Sequence, residues 1–419
     1  MDRTKPVVLF TTPVLHHPPI GGPALRIENS IKALSKISEL HLYSRVSLAS
    51  CGGTAASSFY RQYCQSFHFA PSAVSPNKHV NFAKRAVNFL ARRIIKRNLF
   101  GPGSESLTKD FAYLLRVADA IQADVIWLGY GNISYPLLEY IKQRSNYRVV
   151  VDTDSVWSRF VLRELTFVRN AEERQRIEQR GKEKEEEERW GTQLADATTA
   201  VSQVDAAYYR VLAQNPKRVH QFSNAVDVDM YQQAPPAPDD FKKPCIYLAG
   251  TFWRNSPMED ATRWFVEKAF PVVRAQIPEI TLYVVGRKSD VVLSDIQLPN
   301  VVITGEVESV LPYLCHSNVA IVPLRFESGT RFKILEAGAC KIPVVSTTLG
   351  AEGLPVEHEK HLLLADEPAK FAQSIIRLIY DREFATELAG NLHQLVVDKG
   401  SISVLVKEAT EIIGFLQDE

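Results

Sequence analysis

SGTRFKILEAGACKIPVVSTTLGAEGL, residues 328–354, decides how this chain is read. A Gly-Thr turn precedes a helix-forming run that is apolar on nearly every side. A proline-led, β-branched strand and a second glycine turn follow. That order belongs to an open parallel sheet with crossover helices. A helix starting near Thr330 leaves its first backbone N–H groups unpaired, with the positive end of the helix dipole behind them. Such a terminus is a ready seat for a diphosphate. Arg331 and Lys333 fall in the same first turn and can add charge-assisted bonds to phosphate oxygens. Glu336 stands three residues after Lys333 and shares its helix face. One turn deeper than the phosphates, its carboxylate can accept from both hydroxyls of a ribose. Phe332, Leu335 and Ala339 take the buried face. The competing reading is a plain i, i+3 ion pair between Lys333 and Glu336, worth about 0.2–0.5 kcal/mol. ILEAGAC leaves little polar surface for a solvated pair, which favours a ligand.

The same alternation extends outward on both sides. In the first half the expected strands are VVLFTT (7–12), LHLYSRV (40–46), DVIWLGY (124–130), RVVVDTD (148–154) and ATTAVS (197–202). Arg163 to Leu194, rich in Glu, Lys and Arg, reads as one long solvated helix. The polar stretch 223–244, with Pro235, Pro236 and Pro238, reads as a linker. Beyond it come CIYLAG (245–250), TLYVVG (281–286), NVVIT (300–304), NVAIVPL (318–324), IPVVST (342–347) and HLLLA (361–365). Helices close the chain from Pro368 onward. The expected class is α/β, with two Rossmann-like, doubly wound domains facing a central cleft, where ligands lie at the carboxyl ends of the strands. The expected divisions are a first domain over 1–223, a linker over 224–244, a second domain over 245–400, and a last helix, 401–419, returning toward the first domain.

Composition sets outer bounds. At 419 residues the chain exceeds one ordinary core, and 45% hydrophobic with 23% charged residues is globular composition. No apolar run reaches the roughly 18–20 residues that span a bilayer. The opening MDRTKPVVLFTTPVLHH imitates a signal peptide, but Pro13 interrupts its apolar run, and it reads as a first strand. Cys51, Cys64, Cys245, Cys315 and Cys340 are scattered without a CxxC pair, which points to a reduced, cytoplasmic compartment and no structural metal. A net charge of +1 argues against nucleic acid as a partner. The charge is unevenly placed, however. No acidic residue occurs between Leu40 and Ser104, a stretch containing NFAKRAVNFLARRIIKRNLF (81–100). As a basic helix this segment suits an anionic membrane surface or anionic acceptor, or simply a solvated face over the core.

The opening stretch resembles the donor-binding signature of GT-B glycosyltransferases, and of glycosyltransferase family 4 (group 1) in particular. There a Gly turn, a Lys and a Glu-Ala helix lead into PVV.T..G..G. The likeness continues through LAGTFWRNSPMEDATRWFVEKAFP (248–271), VVGRK (284–288) and TGEVESVLPYL (304–314). In the first half, PPIGG with Arg26, DTDSVWSRF (152–160) and ADATTAVS (195–202) are similar to bacterial polysaccharide members. The resemblance implies a metal-independent, retaining hexosyltransferase that closes its domains on a nucleotide-sugar, uses no cofactor, and makes a polysaccharide or glycolipid from a saccharide or lipid-linked acceptor. It makes Glu336 the ribose ligand and gives the diphosphate to Gly329, Thr330, Arg331 and Lys333. Gly286 and Arg287 would line the nucleotide floor, and Val307 would meet the base edge through its backbone. Gly250, Arg254 and Asn255 would face the phosphates from the other side, and Gly21 and Gly22 would close over the donor. The family often shows Glu, seven residues, Glu; counting back from Glu336, the first of the pair lands on Ser328, which offers a hydroxyl or its N–H, with Glu327 one place off. Asp152 or Asp154 stands where the family's first-domain histidine is sought, with His16 and His17 as further candidates for orienting the sugar or accepting a proton.

Other readings use the same residues. VVVDTDS spells an Asp-x-Asp able to hold a divalent cation against phosphates, and GYGNIS (129–134) is a partial dinucleotide fingerprint. The fold could also bind a nucleotide-sugar or a partner protein without catalysis, or act as a non-hydrolysing nucleotide-sugar epimerase.

Overall fold

The computed structural model describes residues 5–74 and 104–418. The basic segment 81–100 lies outside the described residues. Two compact units make up the chain: Met1–Asp152 with Leu194–Ala197, and Thr153–Gln193 with Thr198–Glu419.

Among the described residues, thirteen strands form two sheets. The first contains β1 (Val7–Thr12), β2 (Glu39–Ser44), β3 (Ser66–Phe69), β4 (Val125–Gly129), β5 (Arg148–Asp152), β6 (Ala197–Ala200) and β7 (Val219–Gln221), ordered β3-β2-β1-β4-β5-β6-β7. β1 is central because VVLFTT can be buried on both faces, and all six residues are. Its parallel neighbours set Val8 opposite Leu40 and Val125. Leu9, Ile126, Leu128, Val149 and Val151 pack into one core with Leu114 and Ala118 from the helix Ser104–Ile121. Leu138 and Ile141 from the helix Tyr135–Arg144 complete it.

The second sheet contains β8 (Cys245–Ala249), β9 (Thr281–Val285), β10 (Val301–Gly305), β11 (Val319–Val322), β12 (Val344–Ser346) and β13 (Leu363–Leu364), ordered β10-β9-β8-β11-β12-β13. All its pairings are parallel. Helices Pro368–Tyr380, Arg382–Lys399 and Ile402–Asp418 close the chain. Among the described residues no helix is long and apolar enough to cross a membrane.

Every strand expected from the sequence is present, and β3 and β7 are added. SFHF and VHQ are short and carry polar residues, so neither shows the apolar run that marks the others. The long charged helix is a correction. It is a single helix, Ala171–Leu194, that starts eight residues later than expected, and Arg163 instead ends a separate helix, Trp157–Arg163. The longer helix starts afresh because Asn170 Oδ1 accepts from the N–H groups of Glu172 (2.9 Å) and Glu173 (3.1 Å).

Candidate functional site

In the second unit the stretch read first folds as a turn, a helix and β12. The helix covers Phe332–Ala339, with Arg331 as an extended N-cap at φ −100°, ψ 109°. It therefore starts two residues later than the sequence suggests. The reason lies in what holds residues 328–331. The Asn224 amide donates to the Thr330 hydroxyl (2.8 Å) and carbonyl (3.2 Å). Arg331 turns its guanidinium back onto the carbonyls of Ser328 (2.7 Å) and Gly329. Gly329 has φ +78°, and a Cβ there would lie 2.8 Å from the Asp154 carbonyl oxygen. Only glycine fits so close an approach in that conformation. Ser328 Oγ accepts from the Val156 N–H at 3.2 Å. The turn thus rests on residues 154–156, which brings Asp154 beside Ser328 and Gly329. The Asp154 carboxylate itself accepts from the Trp157 indole at 3.3 Å.

No N-cap side chain serves the first amides of this helix, so its positive end has no side-chain cap. Arg331 is buried, and its Nε and Nη2 have no hydrogen-bond partner in the structure. Burial lowers its pKa, while Glu327 and Glu352 oppose that shift. Lys333 and Glu336 are half-buried along the same helix. Burial lowers the Lys333 pKa, with Glu327 pulling it back up. Burial raises the Glu336 pKa, opposed by Lys333 and by a hydrogen bond from the Tyr231 hydroxyl to Oε1 at 3.2 Å. Tyr231 is a residue that the sequence reading missed. It lies 105 positions before Glu336, in a stretch whose prolines and polar residues advertise only a connector. Phe332, Leu335 and Ala339 are buried as the pattern implies.

The remaining second-unit candidates lie on the loops after β8, β9 and β10. Gly286 has φ +129°, and a Cβ on it would stand 2.0 Å from the Gly250 carbonyl oxygen. The Gly250 N–H donates to Val285 (3.0 Å), the Gly286 N–H to Gly305 (3.0 Å), and the Phe252 N–H to the Arg287 carbonyl (2.9 Å). Gly250, Gly286 and Arg287 are thereby drawn to one edge of the sheet. Asn255 and Arg254 are exposed at the start of the helix Pro257–Trp264. Glu259 accepts from the Asn255 N–H at 2.7 Å and lies 3.5 Å from Arg254. Val307 is half-buried in the loop after β10.

In the first unit, Gly21 and Gly22 open the helix Gly21–Ile37. From the next turn Arg26 donates to Asp152 at the end of β5, and both side chains are almost wholly buried. Asp152 is therefore held in an ion pair within its own unit. On the loop after β1, His16 Nδ1 bonds the Pro18 carbonyl at 2.7 Å. His17 Nδ1 lies 2.9 Å from Glu28 and its ring stacks on Phe59.

Asp205, in the first turn of the helix Gln203–Leu212, is a buried acid that the sequence did not single out. Burial pushes its carboxyl up to about 6; Arg159, 3.6 Å away, pulls down, Glu352 pushes up, and Arg331 and Arg163 pull down. Its Oδ2 has no hydrogen-bond partner. Between about pH 4 and 6 the folded chain keeps a proton that the unfolded chain has released, so stability falls as pH rises through that window. The penalty above it is on the order of 3 kcal/mol. Asp205→Asn should therefore raise the unfolding free energy by about 1–3 kcal/mol near neutrality and change little near pH 4. Denaturant titrations at the two pH values check this; equal effects at both would refute it.

The two α/β units carry parallel sheets with glycine loops at the strand ends, and residues 243–381 match the family model described as Glycosyl transferases group 1. The chain has the GT-B fold, and part of its second half is similar to the group 1 glycosyltransferases. Solved structures agree on the GT-B fold. HepE of Anabaena, in complex with UDP and glucose, superposes with a TM-score of 0.64 at 14% identity, covering 97% of this chain and 99% of that one. Sucrose-phosphate synthase of Thermosynechococcus elongatus gives 0.69 at 17% identity, covering 99% of each chain. Among curated proteins, a 44.6 kDa protein in the cps region of Klebsiella pneumoniae is 25% identical over 142 residues. That match spans 32% of this chain and 37% of the relative, so little more than a third of the relative is covered.

Proposed function

We propose that this chain is a retaining, metal-independent glycosyltransferase that moves a sugar, a hexose by the family resemblance, from a nucleotide-diphosphate sugar to a saccharide or lipid-linked acceptor. The observation that carries the reading is the Glu336 carboxylate. It is half-buried, held by Tyr231, and one turn along from Lys333 and the uncapped helix start. A carboxylate so placed accepts from the paired hydroxyls of a ribose, and the helix start with Lys333 takes the diphosphate. HepE, which shares the fold, was solved with UDP and with UDP-glucose, which supports a nucleotide-sugar as the donor class.

In the transfer, the bond from the sugar's anomeric carbon to the diphosphate oxygen breaks. A bond to an acceptor hydroxyl oxygen forms, and that hydroxyl loses its proton. Negative charge grows on the departing diphosphate, where Lys333 and the helix dipole stabilise it, with the positive charge of the buried Arg331 behind them. Of the two aspartates, Asp154 is the one assigned to orient the sugar, because Gly329 packs on its backbone. Asp152 is occupied by Arg26. Gly250, Gly286, Arg287, Arg254, Asn255 and Val307 supply the rest of the nucleotide's surroundings.

The test is a thermal-shift screen with UDP-, GDP- and dTDP-linked sugars, followed by calorimetry on Glu336→Ala. Losing hydrogen bonds to a charged acceptor should weaken the nucleotide-sugar about ten- to a hundredfold. Unchanged affinity would remove Glu336 from the site. Conversion of the donor to another sugar without any acceptor would instead point to an epimerase, and binding without turnover to a non-catalytic protein.

A further inference from the structure

Two half-buried thiols meet at the far end of the same helix. Cys315 ends the helix Leu311–Leu314, and Cys340 ends the helix Phe332–Ala339. Their sulfurs are 3.5 Å apart, and both are free. A disulfide needs them about 1.5 Å closer. The other three cysteines are buried, and burial raises their pKa values, that of Cys64 to about 11. The thiol–thiol hydrogen bond lowers Cys315 and raises Cys340, so Cys315 ionises first. The thiolate is the reactive form. Among the described residues no group of three His, Cys, Asp or Glu could hold a metal ion, so the pair is no part of such a set.

We propose that Cys315 and Cys340 are a redox-active dithiol that small-molecule disulfides, such as oxidised glutathione, close to an intrachain disulfide, and that closure weakens nucleotide binding. The Cys315 thiolate attacks one sulfur of the small disulfide and releases one thiolate. The Cys340 thiol then displaces the second, and its proton leaves with it or to water. In total two protein thiols and one small disulfide give one protein disulfide and two small thiols. The coupling to binding rests on the reading of Glu336 as ribose ligand. Cys340 lies one turn beyond Glu336 on the same helix face, and its N–H bonds the Glu336 carbonyl at 3.0 Å. Pulling Cys340 toward Cys315 shifts the turn that carries the carboxylate.

The test treats the full chain with oxidised glutathione and reads intact mass, a peptide map and affinity for UDP, GDP and dTDP. Expected are the loss of two hydrogens, a linked Cys315–Cys340 peptide, and affinity reduced about three- to tenfold. Dithiothreitol should restore that affinity, and Cys315→Ser and Cys340→Ser should show no oxidant-dependent change in it. Oxidation that stops at a glutathione adduct, or gives no product, overturns the dithiol. A disulfide that leaves affinity unchanged, while reduced Glu336→Ala binds poorly, overturns the coupling and leaves the Glu336 reading standing. A disulfide together with unimpaired binding by Glu336→Ala overturns the Glu336 reading and leaves the dithiol. If none of the three nucleotides binds the reduced chain, the coupling falls with the donor reading, and the mass spectrum still decides the dithiol.

Discussion

Lys333→Ala should slow sugar transfer by about a hundred- to a thousandfold while weakening nucleotide-sugar binding far less. The asymmetry follows from where charge appears. In the bound donor the diphosphate charge is already spread over several oxygens and met by backbone amides. As the bond to the sugar breaks, additional charge localises on the departing oxygen, and only an interaction that strengthens at that moment raises the rate. A half-buried ammonium in the first turn is suited to this, because reduced solvent screening magnifies its effect. Its alkaline limb is also predictable in sign. Burial lowers the Lys333 pKa, Glu327 opposing. The active, charged form is therefore lost as pH rises through a value below that of an ordinary lysine. Single-turnover rates and calorimetric affinities, measured side by side, check the prediction. Equal losses in both would mean that Lys333 only holds the donor.

The second large effect concerns stability. Arg26→Ala should cost about 3–5 kcal/mol, because it removes the cationic partner of a wholly buried Asp152 carboxylate. Native domains are stable by only about 5–15 kcal/mol, so the first unit should unfold at a markedly lower denaturant concentration. Replacing both partners by apolar residues of similar volume, as in Arg26→Met with Asp152→Leu, should recover much of the loss, since no unpaired charge then remains. Equilibrium denaturation of the single and double variants decides the matter. A loss below about 1 kcal/mol for Arg26→Ala would show that the pair is not what holds β5 to its helix.

The two-sheet plan was legible because central parallel strands are buried on both faces and must be apolar throughout, as VVLFTT and TLYVV are. β3 and β7 escaped because strands of three or four residues with a histidine inside carry no such signature. The helix around Lys333 and Glu336 was legible in type and nearly in extent. Its late start depends on Asn224, more than a hundred residues away, and no local pattern encodes that contact. Long-range pairing hid the rest as well. Arg26 with Asp152, Tyr231 with Glu336 and Cys315 with Cys340 are each separated by enough chain that only the fold makes them neighbours. Asp205 gave no signal because its sequence position, the first turn of a helix, is where exposed acids are also favoured.

The bond from Tyr231 to Glu336 has a thermodynamic corollary. A glutamate side chain is ordinarily free to rotate, and freezing it when a guest arrives would subtract from affinity. Here a phenol has already fixed the rotamer during folding, so the cost is met before any encounter. Tyr231→Phe should accordingly leave the enthalpy of association nearly intact and make its entropy less favourable.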